Sequence, residues 1–409
     1  MNPLGWAGYG AQLGRARSKT GGDESVSWER RGDAVAISFD FRFLGGSVGT
    51  ATGDLIEEAF TEAGAEGLPV VSVIATGGSR MQEGMASLRQ LQRISGLCAR
   101  HAEVGLPHVS VLCDPTTGGI WASLGAGADV VLAVPGAQVG FAGSRVRPEA
   151  DLDDPAYTSE GQFAAGAVDL VVEPAELGGV LGALLALLLD GELRPASVPR
   201  VLGATDVPAD GWSAVERARD PRRPRAQAYL DDYFSARVPF SGDRAGGVDP
   251  GMLCGIGLHE GRSVVYAAQT GTANTPAGFR TASRVVRLAE RLGLPVLTLV
   301  DTPGAANDAA AERAGVGPAI AELFGTLAAA RVPVTTLVVG EGGSGGALAL
   351  ASPDQTWIAP DAYFSVIAPE LAAAILKRDP AQVRATADQL KLRPQDLVEL
   401  GVVRGIAGP

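Results

Sequence analysis

The 409-residue sequence is poor in the side chains that carry most enzyme chemistry. It has three histidines, His101, His108 and His259, and none adjoins a glycine-rich turn, so no general base stands where a ligand would sit. Its three cysteines, Cys98, Cys113 and Cys254, include no C-x-x-C pair. That excludes a disulfide framework and a structural zinc site and leaves small buried thiols of a reducing compartment. No histidine or carboxylate set has metal-ligand spacing, so no metal is expected. Excess positive charge is missing too. The net charge of −12 argues against nucleic-acid and membrane-surface binding, and any anionic ligand must be met by local groups. No apolar run reaches the roughly 18 residues of a membrane span without a charge or a break, and the first residues lack the pattern of a secretory leader. The protein is expected in the cytoplasm.

What the chain has in quantity is glycine, 55 residues of it, against 5% aromatics. The densest stretch follows the apolar run Val332–Val339 and reads Gly340-Glu-Gly-Gly-Ser-Gly-Gly346 before a small-residue helical pattern. It predicts a buried strand, a tight turn and a helix start. Glycines let backbone approach a ligand closely, and the first N–H groups of a helix have no partner within it, which makes such a turn an anion or oxyanion site. A second copy stands at Leu106–Ile120, where a strand and a polar turn end in Gly118-Gly119. The likeness is long. Leu68-Pro69 and the strand ending in Thr76-Gly77-Gly78 match Leu294-Pro295 and the strand ending in Thr302-Pro303-Gly304, and Asp129 matches Asp354 at nearly the same offset. That offset exceeds half the chain, and a period of such length means a duplicated α/β domain rather than a solenoid.

The expected organisation is a flexible N-terminal arm over 1–26, a first domain over 27–190, a linker over 191–240 rich in proline and arginine, and a second domain over 241–409. Without usable side chains at the turns, the chemistry falls to backbone donors: Gly78, Gly118 and Gly119 in the first half, Gly343, Gly345 and Gly346 in the second. Such donors suit a reaction in which negative charge grows on a carbonyl oxygen, as in enolate formation from a thioester. Two pockets imply two carbonyls.

The motifs then resemble a known family. Phe43-Leu-Gly-Gly-Ser-Val-Gly49, Gly78-Ser-Arg-Met-Gln-Glu-Gly84, Asp114-Pro-Thr-Thr-Gly-Gly119 and Gly140-Phe-Ala-Gly143 are similar to the β subunit of bacterial acetyl-CoA carboxylase carboxyltransferase. Arg222-Arg-Pro-Arg225, Gly242-Asp-Arg-Ala245, Asp301-Thr-Pro-Gly304, Gly340–Gly346 and Leu397–Val403 are similar to its α subunit. The resemblance implies two tandem crotonase-like domains, each a ββα spiral superhelix, that move a carboxyl group from carboxybiotin to an acyl-CoA. It implies the thioester carbonyl at the N–H groups around Gly78 and Gly119 and the biotin ureido carbonyl at those around Gly343 and Gly346. It implies no protein base: CO₂ leaves carboxybiotin, the biotin anion takes the α-proton, and the held enolate attacks CO₂. Acyl-CoA is expected against Phe141, Ala142 and Gly143, with Arg80, Arg222 and Arg223 as phosphate contacts. No Met-Lys-Met biotinylation site and no ATP-binding glycine loop occur, so biotin is expected on a biotin carboxyl carrier protein loaded by a biotin carboxylase. The resemblance further implies a homodimer or higher homo-oligomer. Three departures stand out: the β subunit's four-cysteine zinc finger is absent, the two subunits are fused, and Ala305-Ala306-Asn307 replaces the usual Tyr-Pro after Gly304. A malonyl thioester decarboxylase of the malonate decarboxylase type is the alternative, since holding an enolate serves decarboxylation equally well, and a non-catalytic assembly partner is a third.

Overall fold

A computed structural model describes residues 2–409, so residue 1 of the expected arm lies outside it. The chain divides into two compact units, the first running to Leu185 and including Arg244–Gly246, the second holding Ala186–Asp243 and Gly247–Pro409.

The first unit begins with helix α1 (Tyr9–Thr20) and an antiparallel pair, β1 (Val26–Arg31) and β2 (Ala34–Phe39). Parallel strands β3 (Val70–Thr76), β4 (His108–Thr117), β5 (Val130–Ala133) and β7 (Leu170–Val171) extend the sheet in the order β1-β2-β3-β4-β5-β7, and the short β6 (Val139–Gly140) pairs with the far end of β4. β3 and β4 are near-continuous apolar runs because a parallel sheet is covered on both faces. Helices α2 (Thr50–Glu66) and α3 (Met85–Glu103) make the crossovers, and α4 (Ser159–Ala164) and α5 (Leu177–Leu189) follow β6 and β7. α2 stops at Gly67, whose φ of 67° is the left-handed C-terminal cap that glycine adopts without strain. Ile37, Ile56, Ile74, Ile94 and Leu112 fill the core. In α3, Met85 and Leu88 are exposed, whereas Ile94 and Leu97 lie in the core and Leu91 packs against it.

The second unit repeats the plan. After α6 (Gly211–Arg219) and α7 (Ala226–Tyr233) come β8 (Ala236–Phe240), β9 (Met252–His259), β10 (Arg262–Gln269), β11 (Val296–Thr302), β12 (Val334–Gly343), β13 (Thr356–Ile358), β14 (Tyr363–Ser365) and β15 (Gly405–Ile406). The sheet order is β15-β13-β12-β11-β10-β9-β8, with β14 on the far end of β12. Helices α8 (Pro276–Leu292), α9 (Ala309–Arg313), α10 (Val316–Ala329) and α11 (Ser344–Leu348) complete the part that bears on the site. The duplication is positional. α8, β11 and β12 match α2, β3 and β4 in length and begin and end at one constant offset from them, the offset that separates Leu68 from Leu294. The cap Gly293 (φ 69°) likewise answers Gly67.

Two expected boundaries are corrected. The arm is not loose: α1 folds, Tyr9 is buried, and its hydroxyl donates to Glu83 Oε1 at 2.6 Å. The stretch 191–240 is not a linker but part of the second unit. Its α6 packs Ala214, Val215 and Ala218 with Tyr363, Ala387 and Leu392, and α7 buries Tyr229 and Leu230. Both helices are short, and the arginines of α6, Arg217 and Arg219, pair with Asp206, Glu341 and Glu370, so neither helix produces the long apolar period that sequence reading relies on.

Candidate functional site

The first candidate site lies where β3 and β4 end. Gly78 has φ 103° and Gly118 φ 77°, conformations that favour glycine. A Cβ on Gly118 would stand 3.2 Å from Gly78 Cα, so bare backbone is what lets the two turns touch. Thr76 ties the first turn down: its Oγ1 donates to Gly46 O (2.7 Å) and accepts from Gly78 N–H (3.0 Å). Val48 then bridges the turn, its N–H donating to Gly78 O and its O accepting from Arg80 N–H, both at 2.9 Å. Gly118-Gly119-Ile120 opens a short 3₁₀ turn whose first N–H groups have no partner within it.

The second candidate site repeats these bonds at the same offset. Thr302 Oγ1 donates to Thr272 O (2.8 Å) and accepts from Gly304 N–H (3.1 Å). Asn274 N–H donates to Gly304 O (3.3 Å), and Ala306 N–H donates to Asn274 O (2.8 Å). Ser344, at φ 56°, takes the place of Gly118, and Gly345 that of Gly119. This equivalence adds a residue to those expected in the second half. The counterpart of Gly78 is Gly304, which sequence reading passed over although the internal repeat points to it. Gly343 and Gly346 are close-packing positions, because a side chain on them would strike Pro303 O and Ala305 N respectively. Ser344 also completes Gly342-x-Ser344-x-Gly346, the spacing of a nucleophile elbow at a strand-to-helix turn, another signal sequence reading missed. No histidine is bonded to it among the described residues: His108 Nε2 lies 2.9 Å from Ser72 Oγ, His101 Nε2 3.3 Å from Pro107 O, and His259 stacks on Tyr233. Burial pushes the Cys98 and Cys254 thiols up to about 12 and raises Cys113, away from the reactive thiolate form.

The arginines are corrected as well. Arg80, only 1% exposed, pairs with Glu24 and Glu83 and donates to Ser47 O (2.6 Å), so it cannot meet a phosphate. Burial would raise the Glu83 carboxyl, but hydrogen bonds from Tyr9 OH and Thr50 N–H (2.7 Å) hold it below its usual range. Arg223 is buried against Asp301 (2.5 Å) and Val339 O (3.2 Å), beneath the ends of β11 and β12. Burial raises the Asp301 carboxyl, and the Arg223 hydrogen bond opposes that shift. Arg222 is exposed and paired with Asp220 at 2.7 Å. Of the expected acyl-side residues, Gly143 would carry a Cβ 3.5 Å from Thr117 Oγ1, Ala142 O accepts from Arg147 Nε (2.9 Å), and Phe141 is exposed. All three follow β6, which pairs Gly140 with Thr117 just before the Gly118 turn. No cluster of three metal-ligating side chains, and no helix long and apolar enough to cross a membrane, occurs among the described residues.

A family model described as a carboxyl transferase domain matches residues 29–188, and one described as acetyl co-enzyme A carboxylase carboxyltransferase-like matches 208–408. The chain is 42% identical to the acetyl-coenzyme A carboxylase carboxyl transferase subunits beta/alpha of Salinispora arenicola, over 99% of this chain and 77% of the relative. It is 40% identical to the protein of that name from Saccharopolyspora erythraea, covering 97% and 74%. It is 34% identical to a probable biotin-dependent acyl-coenzyme A carboxylase beta3 subunit of Mycobacterium bovis, covering 97% and 82%. Among solved structures, transcarboxylase 12S superposes with a TM-score of 0.77 at 21% identity, covering 92% of this chain and 76% of the other. A single-chain, multi-domain long-chain acyl-CoA carboxylase gives 0.74 at 22%, covering 92% and 38%. The fold is thus the two-domain crotonase-like one of carboxyltransferases.

Proposed function

The chain belongs to the acetyl-CoA carboxylase carboxyltransferase family, and from that premise we propose that its two glycine sites are the two carbonyl pockets of a biotin-dependent transfer of a carboxyl group to an acyl-CoA. The observation that carries the reading is the bond-for-bond duplication: Thr76, Gly78 and Val48 recur as Thr302, Gly304 and Asn274. Gly78 and Gly304 commit their own N–H groups to threonine hydroxyls, so the donors assigned are Ser79 with Gly119 and Ala305 with Gly345. In the first pocket they hold the thioester oxygen, lowering the cost of removing the α-proton, and the resulting enolate carbon forms the new bond to CO₂. Each donor is worth about 10²–10³ in rate. Biotin, brought by a carrier protein, supplies the CO₂ and the acceptor for the proton when its ureido carbonyl is held by the second pocket. Phe141, Ala142 and Gly143 line the acyl-CoA side. The assigned substrate is a short acyl-CoA such as acetyl-CoA, giving malonyl-CoA for fatty acid or polyketide synthesis. The working form is a cytoplasmic homodimer or higher homo-oligomer, supplied by a biotin carboxylase and its carrier protein. The relatives, named as carboxyl transferase subunits and as a biotin-dependent carboxylase subunit, do not favour the decarboxylase alternative.

The test runs the reaction backwards. Malonyl-CoA is incubated with the protein alone and with free biotin. CO₂ release that requires biotin is the expected result; release without biotin would mean a decarboxylase, and none at all a non-catalytic homologue.

A further inference from the structure

The two glycine turns are built alike but have different side chains around them. At the end of β10, Gln269 is fully buried, and its Nε2 donates to Gly346 O at 3.0 Å in the first turn of α11. Its Oε1 is buried with no hydrogen-bond partner among the described residues. The amide cannot be reversed, because oxygen would then face the Gly346 carbonyl. Asn274, which bridges the Gly304 turn, is also fully buried and also has an orphan oxygen, Oδ1, while its Nδ2 donates to Gly251 O (2.9 Å) and Asp249 Oδ2 (3.3 Å). Buried acceptors without donors are uncommon, since leaving one unsatisfied costs about 1–3 kcal/mol.

The first unit is the internal control. β1–β2 pairs Phe39 with Val26 as β10–β9 pairs Gln269 with Met252, so Phe39 stands at the register position of Gln269. Val48 stands at that of Asn274, making the same backbone bridge. Both counterparts are apolar. The pocket assigned to the thioester therefore has no spare acceptor at these positions, and a thioester has no N–H to offer. The second unit has two, on residues bonded to the α11 turn and beside the Gly304 turn, and a ureido ring carries N–H next to the carbonyl that the oxyanion donors hold. Gln269 is the better placed of the two, because its amide reaches the α11 turn, whereas the Asn274 amide is taken up by the Asp249–Gly251 loop.

We propose that Gln269 is the residue that makes the second pocket select a ureido group: Nε2 positions the Gly346 carbonyl and with it the α11 turn, and Oε1 accepts a hydrogen bond from the ring nitrogen that does not carry the carboxyl group. This deepens the carboxyltransferase reading and rests on it.

The probes are free biotin and biotin methylated on the ureido nitrogen that is not carboxylated. Binding is measured by saturation-transfer NMR or equilibrium dialysis, alongside biotin-dependent loss of CO₂ from malonyl-CoA. Wild-type protein is expected to bind the methylated compound at least about tenfold more weakly than biotin. Gln269→Met and Gln269→Leu should raise KM and Kd for biotin about tenfold or more, leave KM for malonyl-CoA within about twofold, and bind the two compounds alike. Equal binding of both compounds by the wild type overturns the proposal without any variant, even where a variant fails to fold. Undiminished preference in a folded variant overturns it too, and preference lost in Asn274→Leu but kept in Gln269→Met transfers the role to Asn274. Absence of any biotin-dependent turnover by the wild type fails the function itself and takes this inference with it.

Discussion

Arg80 and Tyr9 carry a lesson about single residues. An arginine two positions after Gly78 has the same appearance in sequence whether it points at a phosphate or into the core. What decides is Glu24, far earlier in the chain, whose carboxylate receives the guanidinium. Removing one partner of a buried ion pair leaves the other uncompensated, typically costing about 3–5 kcal/mol. Arg80→Met should therefore lower stability in urea titration by roughly 3 kcal/mol, with KM for acyl-CoA changed no more than kcat. An unchanged melting curve with a raised KM alone would restore the phosphate contact. Tyr9 has a pH signature. Burial, reinforced by its bond to Glu83, pushes its phenol from 10 up to about 12. A group whose folded pKa is raised contributes stability that is fully present below its unfolded pKa and lost as pH rises through the folded one. The contribution of Tyr9 should thus fade between about pH 10 and 12. Thermal melts of Tyr9→Phe across that window should fall less steeply than those of the wild type; parallel curves would mean that Tyr9 does not couple the arm to Glu83.

At the scale of elements, strands and turns were legible and short helices were not. β3, β4, β11 and β12 are largely apolar and β-branched runs that lead into glycine turns, a pattern that buried parallel strands impose. α6 and α7, at nine and eight residues, fall below the length at which a helical period stands out from a proline- and arginine-rich background. The turns themselves allow clean tests. Gly119→Pro removes one N–H and adds a Cβ whose nearest neighbour is the flexible end of Leu91. Turnover should fall by about 10²–10³ while circular dichroism stays near wild type; a loss within tenfold would sink the first oxyanion assignment. In the second unit Gly345 is the position to change, because a Cβ there meets open space, whereas at Gly346 it meets backbone. Gly345→Pro should reduce biotin-dependent turnover by a similar factor, and Gly346→Ala should cost stability instead, read as a lowered melting temperature.

For the whole molecule, the question is which copies of the pockets work together. The family resemblance implies a homodimer in which the first unit of one chain serves with the second unit of the other, and we propose that arrangement here. Gly119→Pro and Gly345→Pro chains, inactive alone, should then recover activity when mixed under conditions of subunit exchange. About half the dimers are mixed and each has one intact site of two, giving roughly one quarter of wild-type turnover for independent sites and random pairing. No recovery despite exchange proven by native mass spectrometry would refute shared sites. The sequence by itself determined the α/β class and the duplication that sets Leu294 against Leu68, because each of these is written in local composition or in a repeat that needs no folding to be seen. The tertiary structure alone decided that Arg80 and Arg223 lie buried against Glu24 and Asp301, that 191–240 folds as part of the second unit, and that Gln269 and Asn274 keep unpaired oxygens where Phe39 and Val48 have none. Burial and hydrogen-bond partnership are properties of residues far apart in the chain, and only the packed sheet brings them together.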